Sequence, residues 1–114
     1  MNNVFVYCEI EDGIIADVSL ELLTKGKSLA NELSCKLEAV VIGTNLKGIE
    51  TQVFPYGVDI LHIADDIKLY PFLTLPHASI VTGLFELEKP QIVLFGATTI
   101  GRDLAPRIAS ALRT

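Results

Sequence analysis

Four short runs of apolar, often β-branched residues recur along the chain and predict four strands. They occupy residues 4–8, 37–42, 60–64 and 92–95. Through most of each run the apolar residues follow one another instead of alternating with polar ones, which is typical of strands covered on both faces. The pattern therefore predicts a parallel sheet that is buried between two layers of helices.

The segments between and after these runs carry apolar residues at spacings of three and four, which is the period of an amphipathic helix. The four predicted helical stripes lie within residues 22–33, 46–54, 76–87 and 99–112. Ser19 or Asp17 is the candidate N-cap of the first helix. Pro55 and Gly57 end the second helix, and we expect Gly57 to adopt a positive φ. Pro106 opposes the fourth helix, because proline removes a backbone hydrogen bond.

Strand and helix alternate four times, which with right-handed crossovers predicts an α/β fold with an open doubly wound parallel sheet and helices on both faces. The sequence Glu11-Asp12-Gly13, followed by apolar residues, predicts a turn with a short edge hairpin. The 114 residues, 50% of them apolar, are enough for one core and too few for two ordinary domains. We therefore expect residues 1–114 to form a single domain.

Charge and apolar content restrict the classes of partner. Nine basic against 14 acidic residues give a net charge of -5, so the chain lacks the basic surplus that binding a phosphate backbone needs. Nucleic acid is therefore not an expected partner. No apolar run approaches the ~20 residues that cross a bilayer, and the amino terminus has no signal-peptide pattern. These features predict no membrane insertion and a cytoplasmic location.

The two cysteines, Cys8 and Cys35, lie in different predicted elements. They form no CxxC motif and have no histidine at a metal-ligand spacing, so neither a redox pair nor a metal site is predicted. Cys8 lies in the first apolar run, and we expect both cysteines to be buried, reduced thiols.

The segment FGATTIGRDLAPR, residues 95–107, combines a strand end, a loop of small residues and a helix start. In an open α/β sheet, ligands gather at the carboxyl ends of the strands, where helix amino termini present unpaired backbone N–H groups. Glycine lets a backbone approach closely, threonine offers a hydroxyl, and arginine binds carboxylate or phosphate. The candidate cofactor contacts are Gly96, Thr98, Thr99, Gly101 and Arg102.

A structural interpretation of the same residues stays open. The segment matches neither GxGxxG nor GxxxxGK[ST], and the lysine that cradles phosphates is absent. Asp103 and Arg107 are four positions apart, which is the spacing of a surface ion pair on a helix. His62, His77 and the Asp65-Asp66 pair have no nucleophile or base recognisably placed beside them, so no catalytic residue is predicted.

The segment FGATTIGRDLAPRIASAL, residues 95–112, resembles the end of the first domain of electron transfer flavoprotein α subunits. Other stretches agree in order and spacing, namely VFVYCE, SLANEL, LEAVVIG, YGVDILHIADD and PQIVLFGATT. The resemblance covers essentially the whole chain. It identifies the chain as similar to the amino-terminal domain of that subunit, which has a sheet like that of adenine-nucleotide α-hydrolases.

The resemblance implies a scaffold role without catalysis by this chain alone. In that family the α subunit is longer, and its FAD is held by a carboxyl-terminal domain that is absent here. The resemblance thus implies FAD in the full-length heterodimer and none held by this chain. It also implies pairing with the β subunit and with dehydrogenase partners, and residues 98–102 are the ones we expect nearest to the β subunit.

Two other functions remain open beside the electron-transfer scaffold. A small adenine-nucleotide-binding module would use the Gly96 to Arg102 loop for phosphates. A freestanding enzyme using Asp65, Asp66 or His62 ranks last, because no catalytic pair is recognisable. A domain made to contact a partner should also expose apolar surface, so self-association of the chain is a further expectation.

Overall fold

The computed structural model describes residues 2–66 and 74–112. In chain order its elements are β1 (Val4–Cys8), β2 (Ile10–Glu11), β3 (Ile14–Ile15), α1 (Asp17–Glu32), β4 (Leu37–Gly43), α2 (Glu50–Val53), a 3₁₀ turn (Phe54–Tyr56), β5 (Ile60–Asp65), α3 (Thr74–Glu88), β6 (Ile92–Leu94) and α4 (Thr99–Leu112). Four strands form one parallel sheet in the order β5-β4-β1-β6. Strands β2 and β3 form a separate antiparallel hairpin.

The sheet separates two hydrophobic clusters, because successive side chains of a strand point to opposite faces. Val4, Val6 and Cys8 of β1 pack on one face with residues of α1 and α2. Phe5 and Tyr7 pack on the other face with residues of α3 and α4. Helices thus cover both faces, and the predicted open doubly wound α/β fold is confirmed.

The predicted strands and the hairpin are confirmed, with small changes at their ends. Strand β6 ends at Leu94, one residue before the predicted end, and β5 extends one residue further, to Asp65. Gly57 follows the 3₁₀ turn with φ 90°, as expected of a glycine that ends a helix. Helix α3 begins at Thr74, so Pro76 falls in its first turn, where proline is tolerated.

The predicted N-cap of α1 is wrong. The helix begins at Asp17, Ala16 holds the cap position, and no side chain caps the helix. The hydroxyl of Ser19 instead accepts a hydrogen bond from the backbone N–H of Glu9 at 2.8 Å. Ser19 is completely buried, so its oxygen serves the end of β1 rather than the start of its own helix.

Pro106 lies inside α4, as the sequence indicated, and the helix continues past it to Leu112. Proline has no N–H, so the carbonyl of Arg102 loses its partner one turn earlier. Residues 102 and 106 are both exposed, which leaves that carbonyl accessible to water. Among the described residues, no helix is long and apolar enough to cross a membrane.

The two thiols differ in their surroundings, and this predicts a difference in labelling. Cys8 is 1% exposed, and burial raises the pKa of its thiol to about 12, whereas Cys35 is only partly buried. Because the thiolate is the nucleophile, a Cys35→Ala variant should react slowly with a thiol reagent when folded and rapidly in urea. Equal rates in the two conditions would contradict the burial of Cys8 at the end of β1.

Candidate functional site

The segment singled out in the sequence lies at the point where the strand order of the sheet reverses. From β1 the chain builds outward through β4 to β5, and it then crosses to the other side of β1 to form β6. In such sheets a crevice opens at the carboxyl ends of the two strands on either side of the reversal. Here those ends are followed by Glu9, after β1, and by residues 95–98, after β6.

Glu9 joins these two strand ends. Its carboxylate accepts a hydrogen bond from the Thr98 hydroxyl at 2.7 Å, and its carbonyl accepts one from the N–H of Ala16 at 2.9 Å. The N–H of Glu9 also donates a hydrogen bond to the Ser19 hydroxyl. Together, these three hydrogen bonds connect the end of β1 to the start of α1 and to the β6–α4 loop. Glu9 is 9% exposed, so these contacts are shielded from water.

Thr98 is the N-cap of α4. Its hydroxyl oxygen accepts a hydrogen bond from the backbone N–H of Gly101 at 3.0 Å, while its own hydrogen goes to Glu9. A capping hydroxyl satisfies one of the first-turn N–H groups that have no partner within the helix. Both the hydroxyl of Thr98 and the amide of Gly101 are therefore engaged inside the domain.

The two glycines of the loop pack against each other. A Cβ atom added at Gly101 would lie 1.9 Å from the carbonyl oxygen of Gly96, which is backbone and has little room to move. A Cβ atom at Gly96 would lie 3.0 Å from the Glu9 carboxylate and 3.2 Å from the side chain of Val18. Glycine at both positions lets α4 begin directly over the end of β6.

The five predicted cofactor contacts thus fall into two groups. Gly96, Thr98 and Gly101 build the loop, and their close contacts are within the domain. Thr99 and Arg102 are exposed and lie three positions apart in the first turn of α4, so they share one face of the helix. The structure brings all five together at the β6–α4 loop and the first turn of α4, and their role as cofactor contacts stays a prediction.

Arg107 has a different place from Arg102. It forms an ion pair with Asp103, with Nε and Oδ1 3.2 Å apart, and it lines a groove between α3 and α4. The surface ion pair predicted from the spacing of these two residues is therefore confirmed. Both side chains are substantially exposed, so the pair contributes little to stability.

The other polar residues considered in the sequence have structural partners. His77 is buried, and its Nδ1 lies 2.9 Å from the Tyr7 hydroxyl. Burial, followed by the nearby charges of Glu9 and Cys8, raises the pKa of Tyr7 and keeps the phenol neutral. Asp65 accepts a hydrogen bond from the N–H of Leu46 at 3.0 Å and so stabilises the turn that follows β4.

A second polar group, which the sequence did not predict, lies near the amino ends of the parallel strands, opposite to the loop after β6. Glu38 of β4 is 2% exposed, and its two carboxylate oxygens contact His62 at 2.6 Å and Asn3 at 2.8 Å. The signal was present in the sequence as charged or polar residues at positions 38 and 62, inside two apolar runs. Their pairing appears only when β4 and β5 are placed side by side.

The comparisons with known proteins agree with the geometry. The fold and the loop at the strand reversal define a doubly wound α/β domain with its candidate site at the carboxyl ends of the strands. The family model described as "Electron transfer flavoprotein domain" matches residues 4–114. This chain belongs to the electron transfer flavoprotein domain family.

Three relatives illustrate the range of names in this family. The chain is 42% identical over 111 residues to "Electron transfer flavoprotein subunit alpha" of Clostridium acetobutylicum, covering 97% of this chain and 33% of the relative. It is 38% identical over 116 residues to "Protein FixB" of Rhizobium meliloti, covering 98% and 33%. It is 36% identical over 109 residues to "Lactate dehydrogenase (NAD(+),ferredoxin) subunit LctC" of Acetobacterium woodii, covering 96% and 26%. The chain spans about a third of the length of the curated relatives it matches.

The family implies a flavin, so the question is whether the loop offers free hydrogen-bonding groups that could hold one. Two of the polar groups in the loop, the Thr98 hydroxyl and the Gly101 amide, are already hydrogen-bonded within the domain. The side chains left for a ligand are those of Thr99 and Arg102, both exposed. These residues do not form a cradle for FAD, and they suit an anionic group that approaches from outside.

The contact between the two glycines predicts a large difference between two glycine-to-alanine variants. Gly101→Ala should lower the free energy of unfolding by about 3 kcal/mol or more, because the new methyl group collides with the Gly96 carbonyl. Gly83→Ala, in α3, meets no atom within 4 Å and should raise stability by about 0.5–1 kcal/mol through helix propensity. Urea denaturation measures both, and equal stability of the two variants would show that α4 does not pack on Gly96.

Proposed function

We propose that this chain is the amino-terminal domain of an electron transfer flavoprotein α subunit and acts as a scaffold that pairs with the β subunit. The observation that carries the proposal is the family match over residues 4–114. The proposal places the FAD-binding domain outside residues 1–114 and gives the chain a role in electron transfer between dehydrogenases and an acceptor. It assigns no catalysis to this chain alone and places the complex in the cytoplasm.

The carboxyl edge of the sheet is the surface that we propose for the partner. Thr99 and Arg102 project from the first turn of α4, where the helix dipole favours negative charge. The guanidinium of Arg102 adds a full positive charge that can form two parallel bonds to a carboxylate or phosphate. These residues would face acidic groups of the β subunit or the phosphates of a flavin or nucleotide bound by it.

Gly96, Thr98 and Gly101 would support this contact from within the domain. The Glu9 carboxylate holds Thr98, and Thr98 caps α4, so the direction of the first turn is fixed before a partner arrives. A preorganised surface loses less conformational freedom on binding than a flexible loop does. The proposal therefore gives Thr99 and Arg102 contact roles and gives the other three residues positioning roles.

Reconstitution tests this proposal. The purified chain should show no flavin absorption by itself, and it should form a stable, flavin-containing complex when mixed with a matching β subunit and FAD. Arg102→Ala should weaken that complex by about tenfold, as expected for loss of an interfacial charged contact. Arg107→Ala, also exposed on α4, is the matched control and should leave the affinity unchanged.

Two results would contradict the proposal. One is the absence of any complex with the β subunit under conditions in which the chain is folded. The other is a stoichiometric yellow flavin that copurifies with the chain alone, because the chain would then hold its own cofactor.

A small adenine-nucleotide-binding module is the second candidate function. The location of the loop at the strand reversal favours it, since nucleotides bind at this point in many doubly wound sheets. Titration calorimetry with AMP, ADP and ATP distinguishes the two functions. Micromolar binding that Arg102→Ala abolishes would favour the nucleotide module, and no heat of binding would favour the scaffold.

Self-association of the free chain stays a prediction. Ile63, on the edge strand β5, is 47% exposed, and Phe54 is 45% exposed. Apolar side chains of this kind are often covered by a partner or by a second copy. A single monomeric species in sedimentation at high protein concentration would contradict this prediction.

A further inference from the structure

A mixed group of one imidazole and two carboxylates lies at the amino edge of the sheet. Glu38 of β4, His62 of β5 and Glu88 of α3 each offer a metal-ligand atom, and these atoms all lie within 4.8 Å of one another. The three residues come from three separate elements, β4, β5 and α3. The group is distinct from the candidate site at the loop after β6.

Glu38 is the buried member of this group, whereas His62 and Glu88 are partly exposed. The Glu38 carboxylate is 2% exposed, and burying a charge is costly unless an opposite charge lies beside it. The two partners of Glu38 are the neutral amide of Asn3 and the imidazole of His62. Glu88 adds a second carboxylate, with an oxygen within 4.8 Å of the ligand atoms of Glu38 and His62. Even a protonated His62 would leave this group with one net negative charge.

We propose that Glu38, His62 and Glu88 bind a divalent transition-metal ion of the zinc class. A divalent ion with two carboxylates and a neutral imidazole forms a group without net charge. One nitrogen and two oxygen donors suit zinc or cobalt, whereas magnesium and calcium prefer oxygen ligands alone. Three protein ligands leave the fourth tetrahedral position of such an ion for water.

The geometry requires only local side-chain movement. Bonds of about 2.0–2.1 Å in a tetrahedral site place neighbouring ligand atoms about 3.3 Å apart. The His62 and Glu38 atoms, at 2.6 Å, must therefore separate slightly, and the Glu88 carboxylate must move inward from within 4.8 Å. Glu88 is the last residue of α3, where a long side chain can change rotamer without disturbing the helix. The ion would take the place of the hydrogen bond between Glu38 and His62, and His62 would bind it as the neutral imidazole.

Asn3 supports Glu38 as a ligand. Its Nδ2 donates to the second oxygen of the Glu38 carboxylate at 2.8 Å, while its Oδ1 accepts the backbone N–H of Lys36 at 3.1 Å. Hydrogen bonds of this kind orient ligating side chains in metal sites. Glu38 is thus held with one oxygen fixed by Asn3 and the other directed to His62. The bound ion would join the end of α3 to two strands of the sheet.

Metal titration of the purified chain tests the site. Zn²⁺ should bind with one ion per chain in calorimetry, and Co²⁺ should give the visible d–d bands of a tetrahedral nitrogen–oxygen site. His62→Gln and Glu88→Gln should each weaken Zn²⁺ binding by more than about 100-fold, since loss of an outer-shell partner alone costs about 10- to 100-fold. Glu86→Gln, on the same helix and exposed, removes the same charge and should bind Zn²⁺ as the unaltered chain does.

The control variants also define the results that overturn the proposal. Equal Zn²⁺ affinity in Glu88→Gln and Glu86→Gln would show that the carboxylate of α3 is not a ligand. Retention of the Co²⁺ bands in His62→Gln would exclude the imidazole. A chain that binds neither ion while its circular dichroism shows it to be folded would leave Glu38 and His62 as a hydrogen-bonded pair only.

Discussion

The central strand β1 is the constraint on which the rest of the domain depends. All five of its residues are buried, and it pairs with β4 on one side and with β6 on the other. Its alternating side chains enter both hydrophobic clusters, so the strand takes part in packing every long helix. A strand held in this way cannot shift its register by one residue without exchanging the contents of the two clusters.

The two ends of β1 position the two polar groups of the domain. At the carboxyl end Glu9 binds the β6–α4 loop and the start of α1, and so fixes the position of the first turn of α4. At the amino end Asn3 binds Glu38, which in turn contacts His62 on β5. The surface proposed for the partner and the proposed metal site therefore lie at opposite edges of one sheet, each aligned by a residue adjacent to the same strand.

Much of the fold follows from local pattern, whereas the sites depend on distant contacts. The apolar runs, the turn at Gly13 and the positive φ of Gly57 result from burial and backbone sterics, which short stretches of sequence express directly. The bond between Glu9 and Thr98 joins residues 89 positions apart, and the Glu38–His62 contact needs the register of β4 on β5. Ser19 shows the same limit. Its position favoured capping α1, but its hydroxyl instead accepts a hydrogen bond from the residue that follows β1.

The motif in residues 95–107 correctly located the candidate site. It did not distinguish the residues that pack within the domain, which are Gly96, Thr98 and Gly101, from the exposed residues Thr99 and Arg102.

The orientation of the domain toward its partner is the central claim, and amide hydrogen exchange of the chain with and without a matching β subunit tests it most directly. The account predicts that the β subunit slows exchange at residues 97–102, at the carboxyl edge. Amides near Glu38 and His62, at the amino edge, should exchange at unchanged rates. Protection confined to the amino edge or to β5, with residues 97–102 unaffected, would contradict the account.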